Sequence, residues 1–465
     1  MIDSQRKAGK LNKKSIFTPA RATTLGFLAV ILIGAFLLSL PISHNDGEWF
    51  GFTDSLFTAT SCVCVTGLVV VDTAIEFTLF GQIVILLLIQ IGGLGFMTLA
   101  TVMFIVFGKK INLQSRIYMQ ESVSEDNLKG VVRLAQKIVI YTLAFEAMGA
   151  FVLSFQFAKD FGVGEGIFKA IFMSVSAFCN EGFDVLGANY GAFSSLAHYQ
   201  NNPIVLLTLG VLIIMGGLGF AVITDIISRK KSNRLRAHTK AVLLMTSILI
   251  VLGTVMFLGF EYNNPKTIGN MSFGNKLLNA LFQAITPRTA GFQVLNQADL
   301  TVSGATLTMV LMFIGASPAS TGGGIKTTTF LIMIAYLWSN LRGEKDLVLN
   351  KKQITTAQLK KSVAIITTAV LVIVASVMVI SIAEGVNGNN YAGFEGILFE
   401  SISAFATVGL SMGITPTLSV VSKLMLCLVM LIGRTGPITM GFALVKKVNK
   451  TQVNIKYPNS DIMVG

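Results

Sequence analysis

The sequence predicts an all-α integral membrane protein with eight transmembrane helices, arranged as four tandem helix–pore-loop–helix repeats around one pseudo-fourfold pore. Composition is the first indication: of 465 residues, 53% are hydrophobic and only 13% are charged, whereas soluble domains carry about 25% charged residues. Apolar stretches of about 20 residues recur, which is long enough for a helix to cross a hydrocarbon core of about 30 Å. A semi-polar motif recurs four times between these stretches.

The recurring motif has an aliphatic residue and Phe near its start and ends in glycine followed by Leu or Phe. Its copies span residues 55–68, 170–183, 280–292 and 397–410. Phe and glycine are ten residues apart in three copies and nine apart in the third copy, so the third register is not transferred directly. The helix after each glycine also repeats, with near-duplicate segments at 91–96 and 215–220. Four copies in one order indicate a repeating structural unit.

The copies of the motif divide the chain into six predicted segments. These are a tail at 1–21, repeats at 22–108, 134–228, 241–338 and 362–445, and a tail at 446–465. Two crossings per repeat return the chain to the same side, so successive repeats share one orientation. An inverted-repeat transporter needs an odd number of crossings per repeat. Four units of like orientation are therefore expected to surround one axis, as in a pore.

The net charge of +13 is interpreted as a topology signal. Most of the 36 Lys and Arg residues lie in five patches, at 1–21, 109–137, 229–240, 342–361 and 446–456. By the positive-inside rule these patches, and both termini, face the cytoplasm of a protein in the cell membrane. A nucleic-acid partner is not expected, because the basic residues are spread over five loops rather than gathered on one surface.

The end of each motif is suited to binding a monovalent cation. Non-helical backbone at membrane depth must be buried in protein or line water, glycine readily adopts positive φ, and rings of backbone carbonyls can replace the hydration shell of K+. The predicted ion-binding residues of this selectivity filter are Thr66, Gly67, Glu181, Gly182, Ala290, Gly291, Val408 and Gly409. The alternative is that these glycines only permit close helix packing.

Two features qualify the predicted filter. Each loop has one glycine, whereas the potassium-channel signature TVGYG has two, so selectivity for K+ is expected to be real but modest. Asp72 and Asp184 lie just beyond two of the glycines. They either concentrate cations at the outer mouth or are ordinary solvated loop carboxylates.

The second helix of the third repeat is predicted to be broken from about Gly315 to Lys326. Pro318 and three successive glycines cannot lie in a continuous helix without cost. Irregular backbone there should face a water-filled cavity, which favours a movable barrier over a passive kink. A Walker A phosphate loop is excluded, because the residue before Lys326 is Ile325 rather than glycine. The predicted gate residues are Gly315, Ser317, Pro318, Gly322, Gly323, Gly324, Lys326 and Arg434.

Arg434 follows Gly433 deep in an apolar run of the fourth repeat. A charge within the membrane costs about 2.5–3.5 kcal/mol on insertion scales and marks function by default. At the pore axis below the filter, this arginine would oppose free cation flow. The alternative is a buried ion pair with Glu400 or with Glu146, which lies mid-span and also needs a partner.

Three motifs together resemble the Trk/Ktr/HKT superfamily of potassium transporters. They are Thr286-Pro-Arg-Thr-Ala-Gly-Phe292, Ala316-Ser-Pro-Ala-Ser-Thr-Gly-Gly-Gly-Ile-Lys326-Thr and Gly433-Arg-Thr-Gly-Pro437. With eight spans and a short N-terminus, the chain is most similar to the bacterial Ktr membrane subunit. Cys62 and Cys64 in the first loop and the short third loop depart from the family pattern.

The resemblance implies properties that composition does not show. It implies a homodimer with one pore in each protomer, a cytosolic ring of regulatory subunits that bind nucleotides, and frequent activation by Na+. It also assigns the family's filter glycines to the four glycines above, its intramembrane gate loop to residues 315–326 and its pore arginine to Arg434.

The residues and the resemblance together predict potassium uptake across the plasma membrane, driven by the membrane potential. A monovalent cation gains about 2.3 kcal/mol per 100 mV, and the chain shows no nucleotide motif or catalytic constellation, so it is not expected to be an enzyme. No covalently bound cofactor is expected; K+ is the substrate. The alternative is a sodium- or proton-coupled potassium symporter, which a fixed ion stoichiometry would distinguish.

Overall fold

The computed structural model describes residues 19–95, 98, 131–227, 235–343, 348–349, 352–386 and 393–444. The predicted C-terminal tail lies outside these residues, as do all but the last three residues of the predicted N-terminal tail. Most of the basic patch at 109–137 is also outside them.

Three kinds of helix alternate along the described chain. The long helices are α1 (Pro19–Ser39), α5 (Val131–Phe161), α10 (Ala237–Glu261) and α14 (Thr356–Val386). The short helices are α2 (Phe52–Cys64), α6 (Val163–Cys179), α11 (Phe273–Ile285) and α15 (Phe394–Ala406). The third kind comprises α4 (Leu79–Leu94) and the pairs α8 (Pro203–Leu218) and α9 (Phe220–Ile227), α12 (Val302–Phe313) and α13 (Thr327–Leu341), and α16 (Val420–Thr435) and α17 (Pro437–Leu444).

Smaller elements lie in the connections. Single-turn helices α3 (Thr73–Glu76) and α7 (Gly187–Tyr190) follow the first two short helices. The strands β1 (Val348–Leu349) and β2 (Lys352–Gln353) form a two-residue antiparallel pair, with Val348 opposite Gln353.

The long helices have the length and composition of membrane spans. Among the described residues, four helices qualify, and α8 with α9 would form a fifth span bent by 98°. Large apolar side chains such as Phe151, Val251 and Leu371 are exposed on their outer faces, which is typical of surfaces that contact lipid rather than water. The eight crossings expected from the sequence stay a prediction, because α4, α12 and α13 are apolar but shorter.

The short helices are anchored by the Phe that begins each copy of the motif. At 13 to 17 residues, they reach only roughly 20–26 Å at 1.5 Å per residue, less than the thickness of the hydrocarbon core. Phe57, Phe172, Phe282 and Phe399 are all at most 2% exposed. Each short helix is therefore exposed in its first turn but ends inside the molecule.

Interruptions occur in more helices than the sequence analysis expected. The helices α4, α8 and α16 end at Gly95, Gly219 and Gly436, which have φ values of 78°, 91° and 86°. Glycine adopts this left-handed region without steric cost, and Pro437 then begins the next helix without losing a hydrogen bond. The sequence analysis identified the break between α12 and α13 but missed those at Gly219 and Gly436.

The first and last parts of the chain pack together and close the molecule. One buried apolar cluster combines residues of α1, α2 and α4 with residues of α14, α15 and α16, among them Ala35, Phe57 and Val429. Lys423 Nζ on α16 lies 2.8 Å from Asp54 Oδ1 in the first turn of α2. A second cluster joins α5, α6, α8 and α11.

Glu261 connects the end of α10 to the start of α12. Its Oε1 accepts hydrogen bonds from the Thr301 amide (2.8 Å) and hydroxyl (2.6 Å). Its Oε2 accepts from Asn264 Nδ2 (2.7 Å) and Thr267 Oγ1 (2.8 Å). Glu384, near the end of α14, accepts from the Ser419 amide and hydroxyl in the same way (3.0 and 2.8 Å). A buried carboxylate thus fixes the connection in both places.

We expect Glu261→Ala to lower the free energy of unfolding by about 3 kcal/mol, because four donors lose a charged acceptor inside the protein. The measurement is the thermal unfolding midpoint of purified protein in detergent. Glu395→Ala, at an exposed position of α15, serves as the control and should leave the midpoint almost unchanged. Equal midpoints for the two variants would contradict the role of Glu261.

Candidate functional site

The four motif glycines form a closed ring, which we call the glycine ring: Gly67, Gly182, Gly291 and Gly409. Their φ values are 86°, 83°, 80° and 90°, a region open to glycine but costly for other residues. A Cβ placed on Gly182 would lie 2.6 Å from the Ala290 carbonyl oxygen, and one on Gly291 would lie 2.5 Å from that of Val408.

The remaining contacts complete the ring. A Cβ on Gly67 would overlap the carbonyl oxygen of Glu181, and one on Gly409 would overlap that of Thr66. Each glycine therefore faces the carbonyl that precedes the glycine of another loop. The eight residues predicted to bind the ion are brought together, and the glycines pack loop against loop rather than helix against helix.

A second left-handed position lies two residues before each glycine of the ring. Val65, Asn180, Thr289 and Thr407 have φ values of 59°, 60°, 72° and 51°. Such conformations in non-glycine residues cost about 1–3 kcal/mol each and persist only where the surroundings enforce them. The sequence analysis missed this feature, since Val and Thr are poor candidates for left-handed backbone.

Hydroxyl groups brace three of the four loops. Ser176 Oγ and Thr286 Oγ1 each donate to the carbonyl of the residue after the ring glycine, at 2.7 Å, namely Phe183 and Phe292. In the fourth loop the Gly409 amide donates to Ser403 Oγ (3.1 Å). Ser61 occupies the equivalent place in the first loop, but its buried hydroxyl has no hydrogen-bond partner among the described residues.

One face of the glycine ring opens into a cavity of about 580 Å³, lined by all four ring glycines together with Asp72, Asp184 and Gln293. The two carboxylates also hold the loops in place. Asp72 accepts from the amides of Ala74 (2.9 Å) and Phe193 (2.8 Å), and Asp184 accepts from the amide of Leu186 (3.1 Å). Both interpretations of these aspartates, cation attraction and loop structure, are compatible with their positions.

The opposite face of the loops lies against the irregular segment between α12 and α13, residues 314–326. A Cβ on Gly322 or Gly323 would overlap the side chain of Thr289 or Thr407, respectively, and one on Gly324 would lie 3.2 Å from the Ala406 carbonyl oxygen. This segment therefore contacts the third and fourth loops directly.

Hydrogen bonds tie the 314–326 segment to its surroundings. The Ser317 amide donates to the Gly217 carbonyl (3.0 Å), and the Phe220 amide donates to the Ala319 carbonyl (2.8 Å). Ser317 Oγ lies 3.0 Å from Thr327 Oγ1. The segment thus rests on the bend between α8 and α9, as well as on the loops.

Two cationic side chains bind carbonyls of the 314–326 segment. Lys326 Nζ donates to Gly322 O (2.7 Å) and lies 3.4 Å from Gly323 O. The Arg434 guanidinium donates to the carbonyls of Thr321 and of Gly92 on α4. Arg434 thereby connects the segment to a helix more than 200 positions away in sequence.

The alternative of an ion pair between Arg434 and Glu400 or Glu146 is wrong for the described structure. Glu400 accepts from the hydroxyls of Ser411 and Thr415, the latter at 3.0 Å. Glu146 accepts from Gln90 Nε2 at 3.4 Å. Backbone carbonyls instead satisfy Arg434, and sequence reasoning could not identify them because any residue supplies a carbonyl.

The family model for TrkH, described as a cation transport protein, matches residues 10–454. This chain belongs to the TrkH family. It is therefore a multi-pass membrane protein and a cation transporter rather than an enzyme. The family resemblance drawn from its three motifs is confirmed.

Relatives extend the match over nearly the whole chain. The Ktr system potassium uptake protein B of Bacillus subtilis is 38% identical over 449 residues, covering 97% of each chain. The protein of the same name from Vibrio alginolyticus is 39% identical over 459 residues, covering 98% of this chain and 97% of the relative. The potassium/sodium uptake protein NtpJ of Enterococcus hirae is 38% identical, covering 96% and 97%.

A solved structure has the same overall fold. The potassium transporter TrkH from Vibrio parahaemolyticus superposes with a TM-score of 0.68 at 19% identity, covering 94% of this chain and 87% of that one. At this identity the similarity bears on the fold alone.

Acidification of the solution on the cavity side should reduce cation uptake, because Asp184 loses its charge. Burial, reinforced by the neighbouring Asp72, raises the pKa of Asp184 from 3.8 to about 6, so the carboxylate is charged above this pH and neutral below it. In uptake assays taken from about pH 7.5 to about pH 5, Asp184→Asn should remove this part of the decline. Asp46→Asn, at an exposed position, is the control and should keep it. An unchanged decline in Asp184→Asn would contradict a role of the Asp184 charge in attracting cations.

Proposed function

We propose that the chain takes up potassium across the plasma membrane through the glycine ring, driven by the membrane potential. The observation that carries this proposal is a closed set of contacts between the four loops. In each contact a ring glycine faces the carbonyl of the residue that precedes the ring glycine of the next loop. Converging carbonyls in a site bounded by a solvent cavity are the chemistry that replaces the hydration shell of K+. The names of the Ktr relatives, which specify potassium uptake, support the choice of ion.

The proposed architecture is eight crossings in four repeats around one axis normal to the membrane. The recurrence of long helix, short helix, ring glycine and interrupted helix along the described chain supports it, as does the cyclic order of the ring contacts. With the basic patches on the inside, both termini face the cytoplasm. The cavity lined by Asp72 and Asp184 then forms the outer mouth of the pore.

The 314–326 segment is proposed to be the gate. It contacts the loops on the side opposite the cavity, and it is irregular backbone whose hydrogen bonds to the bend between α8 and α9 can be exchanged without unfolding a helix. Lys326 and Arg434 hold the segment closed. The irregular backbone is supplied by Gly315, Ser317, Pro318, Gly322, Gly323 and Gly324. Two cations beneath a cation filter oppose flow electrostatically as well as sterically.

Regulation is proposed to come from outside this chain. A cytosolic subunit that binds nucleotides would act at the cytoplasmic loops of a homodimer, and Na+ would serve as an activator. The support is the high similarity to membrane proteins named as parts of a Ktr system. The interrupted helices α8–α9, α12–α13 and α16–α17 offer joints through which movement at the cytoplasmic ends can reach the 314–326 segment.

A sodium- or proton-coupled symporter is the second candidate. It is favoured by Glu146, a buried mid-helix carboxyl group whose partners are weakly placed at 3.4 Å (Gln90 Nε2) and 3.8 Å (Cys179 Sγ). A buried carboxyl group in a membrane helix marks ion or proton pathways by default. Reversal potentials set by K+ alone would exclude coupling, and a fixed ion stoichiometry would establish it.

Gly291→Ser should weaken the preference for K+ over Na+ by about tenfold or more. A side chain at φ 80° collides with the Val408 carbonyl and displaces it from the ion. A lost contact to a charged group is worth about 1.5–3 kcal/mol. The measurement is uptake of rubidium-86 into proteoliposomes, with unlabelled K+ or Na+ competing.

Gly274→Ser is the matched control for Gly291→Ser. Gly274 lies on α11 of the same repeat with no atom within 4 Å of an added Cβ, so this change should leave the preference intact. Identical preferences in both variants, in the presence of the regulatory partner, would contradict the proposed filter.

Arg434→Ala should raise uptake in the absence of any partner protein by about tenfold, because it removes two charge-assisted hydrogen bonds of roughly 1.5–3 kcal/mol each that hold the gate. Initial rates of rubidium-86 uptake measure this effect. Lys159→Ala, an exposed charge at the end of α5, is the control. A rate in Arg434→Ala no higher than in wild type would show that this arginine does not keep the gate closed.

A further inference from the structure

The side chain of Glu181 has no role in the proposed pathway, in which only its backbone carbonyl binds the ion. Its side chain is completely buried, and neither carboxyl oxygen has a hydrogen-bond partner among the described residues. Burying a carboxyl group without partners costs several kcal/mol. The equivalent positions in the third and fourth loops hold Ala290 and Val408, which carry no such cost, so the carboxyl group requires an explanation.

The groups that face this carboxyl belong to the first loop. The carboxyl group lies near the backbone of Thr66 and Gly67 without a hydrogen bond to either, and the Arg434 charge acts on it as well. The Gly67 Cα is also the point at which the first loop touches the Glu181 carbonyl. Backbone and side chain of Glu181 therefore both lie against the same two residues of the neighbouring loop.

The first loop is also the loop without a bracing hydroxyl group. The hydroxyls of Ser176, Thr286 and Ser403 each hold their own loop, whereas that of Ser61 has no partner. The backbone of the first loop is nevertheless as strained as the others, with Val65 in the left-handed region. The Thr66 amide donates to the Ser61 carbonyl at 2.9 Å, as the matching amides do in the other loops. What the first loop lacks is a side-chain partner for its backbone.

We infer that the Glu181 carboxyl group is this missing brace. Glu181 is a positioning residue that sets the selectivity of the ring by holding the backbone of the first loop. It accepts a hydrogen bond from the Gly67 amide when an ion occupies the ring, and this bond holds the carbonyls of Thr66 and Gly67 toward the axis. Discrimination between K+ and the smaller Na+ depends on how firmly the four carbonyl groups are held. The inference rests on the proposed function of the glycine ring.

The test compares Glu181→Met with Glu181→Gln. Both replacements have the length of the native side chain, but only glutamine retains an acceptor oxygen. In rubidium-86 uptake with competing K+ or Na+, the methionine variant should lose about tenfold in the ratio of the Na+ and K+ inhibition constants, as expected for a lost hydrogen bond to a charged group. The glutamine variant should recover most of this ratio. A ratio of two inhibition constants does not depend on the amount of folded protein.

Gly67→Ala, measured in parallel, separates the two levels of the argument. If Gly67→Ala loses selectivity and Glu181→Met keeps it, the ring is the filter but the carboxyl group is not its brace. A glutamine variant as impaired as the methionine variant would also overturn the brace, since an acceptor without charge should suffice. If Gly67→Ala itself keeps full selectivity, the proposed filter fails and the inference fails with it.

Discussion

A backbone that leaves its helix inside a membrane must find partners for its amides and carbonyls, and this requirement governs the centre of the molecule. Four short helices end in the interior, and each continues as a loop with two left-handed residues. The loops meet the requirement mutually, because each ring glycine leaves room for the carbonyl of another loop. No single loop could adopt this conformation alone, since its strain is balanced only by the other three.

The 314–326 segment is subject to the same requirement and meets it differently. The Ala319 carbonyl accepts from a backbone amide, but the carbonyls of Thr321 and Gly322 are held by the side chains of Arg434 and Lys326. A carbonyl held by a mobile cation can be released without unfolding a helix, whereas the ring carbonyls cannot. The proposed filter is therefore expected to be more rigid than the proposed gate, although both consist of glycine-rich irregular backbone.

The sequence predicts those parts of the molecule whose chemistry depends on residue type. Glycines nine or ten residues after Phe57 and its equivalents identified the ring residues, because no other residue fits the backbone there. The partners of Arg434, the left-handed Val65 and Thr407 and the turn at Gly219 were not predicted. A carbonyl acceptor has no residue identity, and strain at Val or Thr arises from tertiary contacts that leave no mark in local sequence. The same holds for the bend of 98° between α8 and α9.

The cyclic order of the ring also constrains how the protein can be made. The first loop lies between the second and the fourth, so half of its contacts are absent until the last repeat has been synthesised and inserted. Asp54 at the start of α2 meets Lys423 only after 369 further residues have emerged. A chain truncated before α15 would hold an open ring with unpaired carbonyls in the bilayer, which is a recognisable substrate for membrane quality control. Insertion of the last repeat is therefore the step that closes the ring during assembly. Defects in this repeat would appear as degradation of the whole chain.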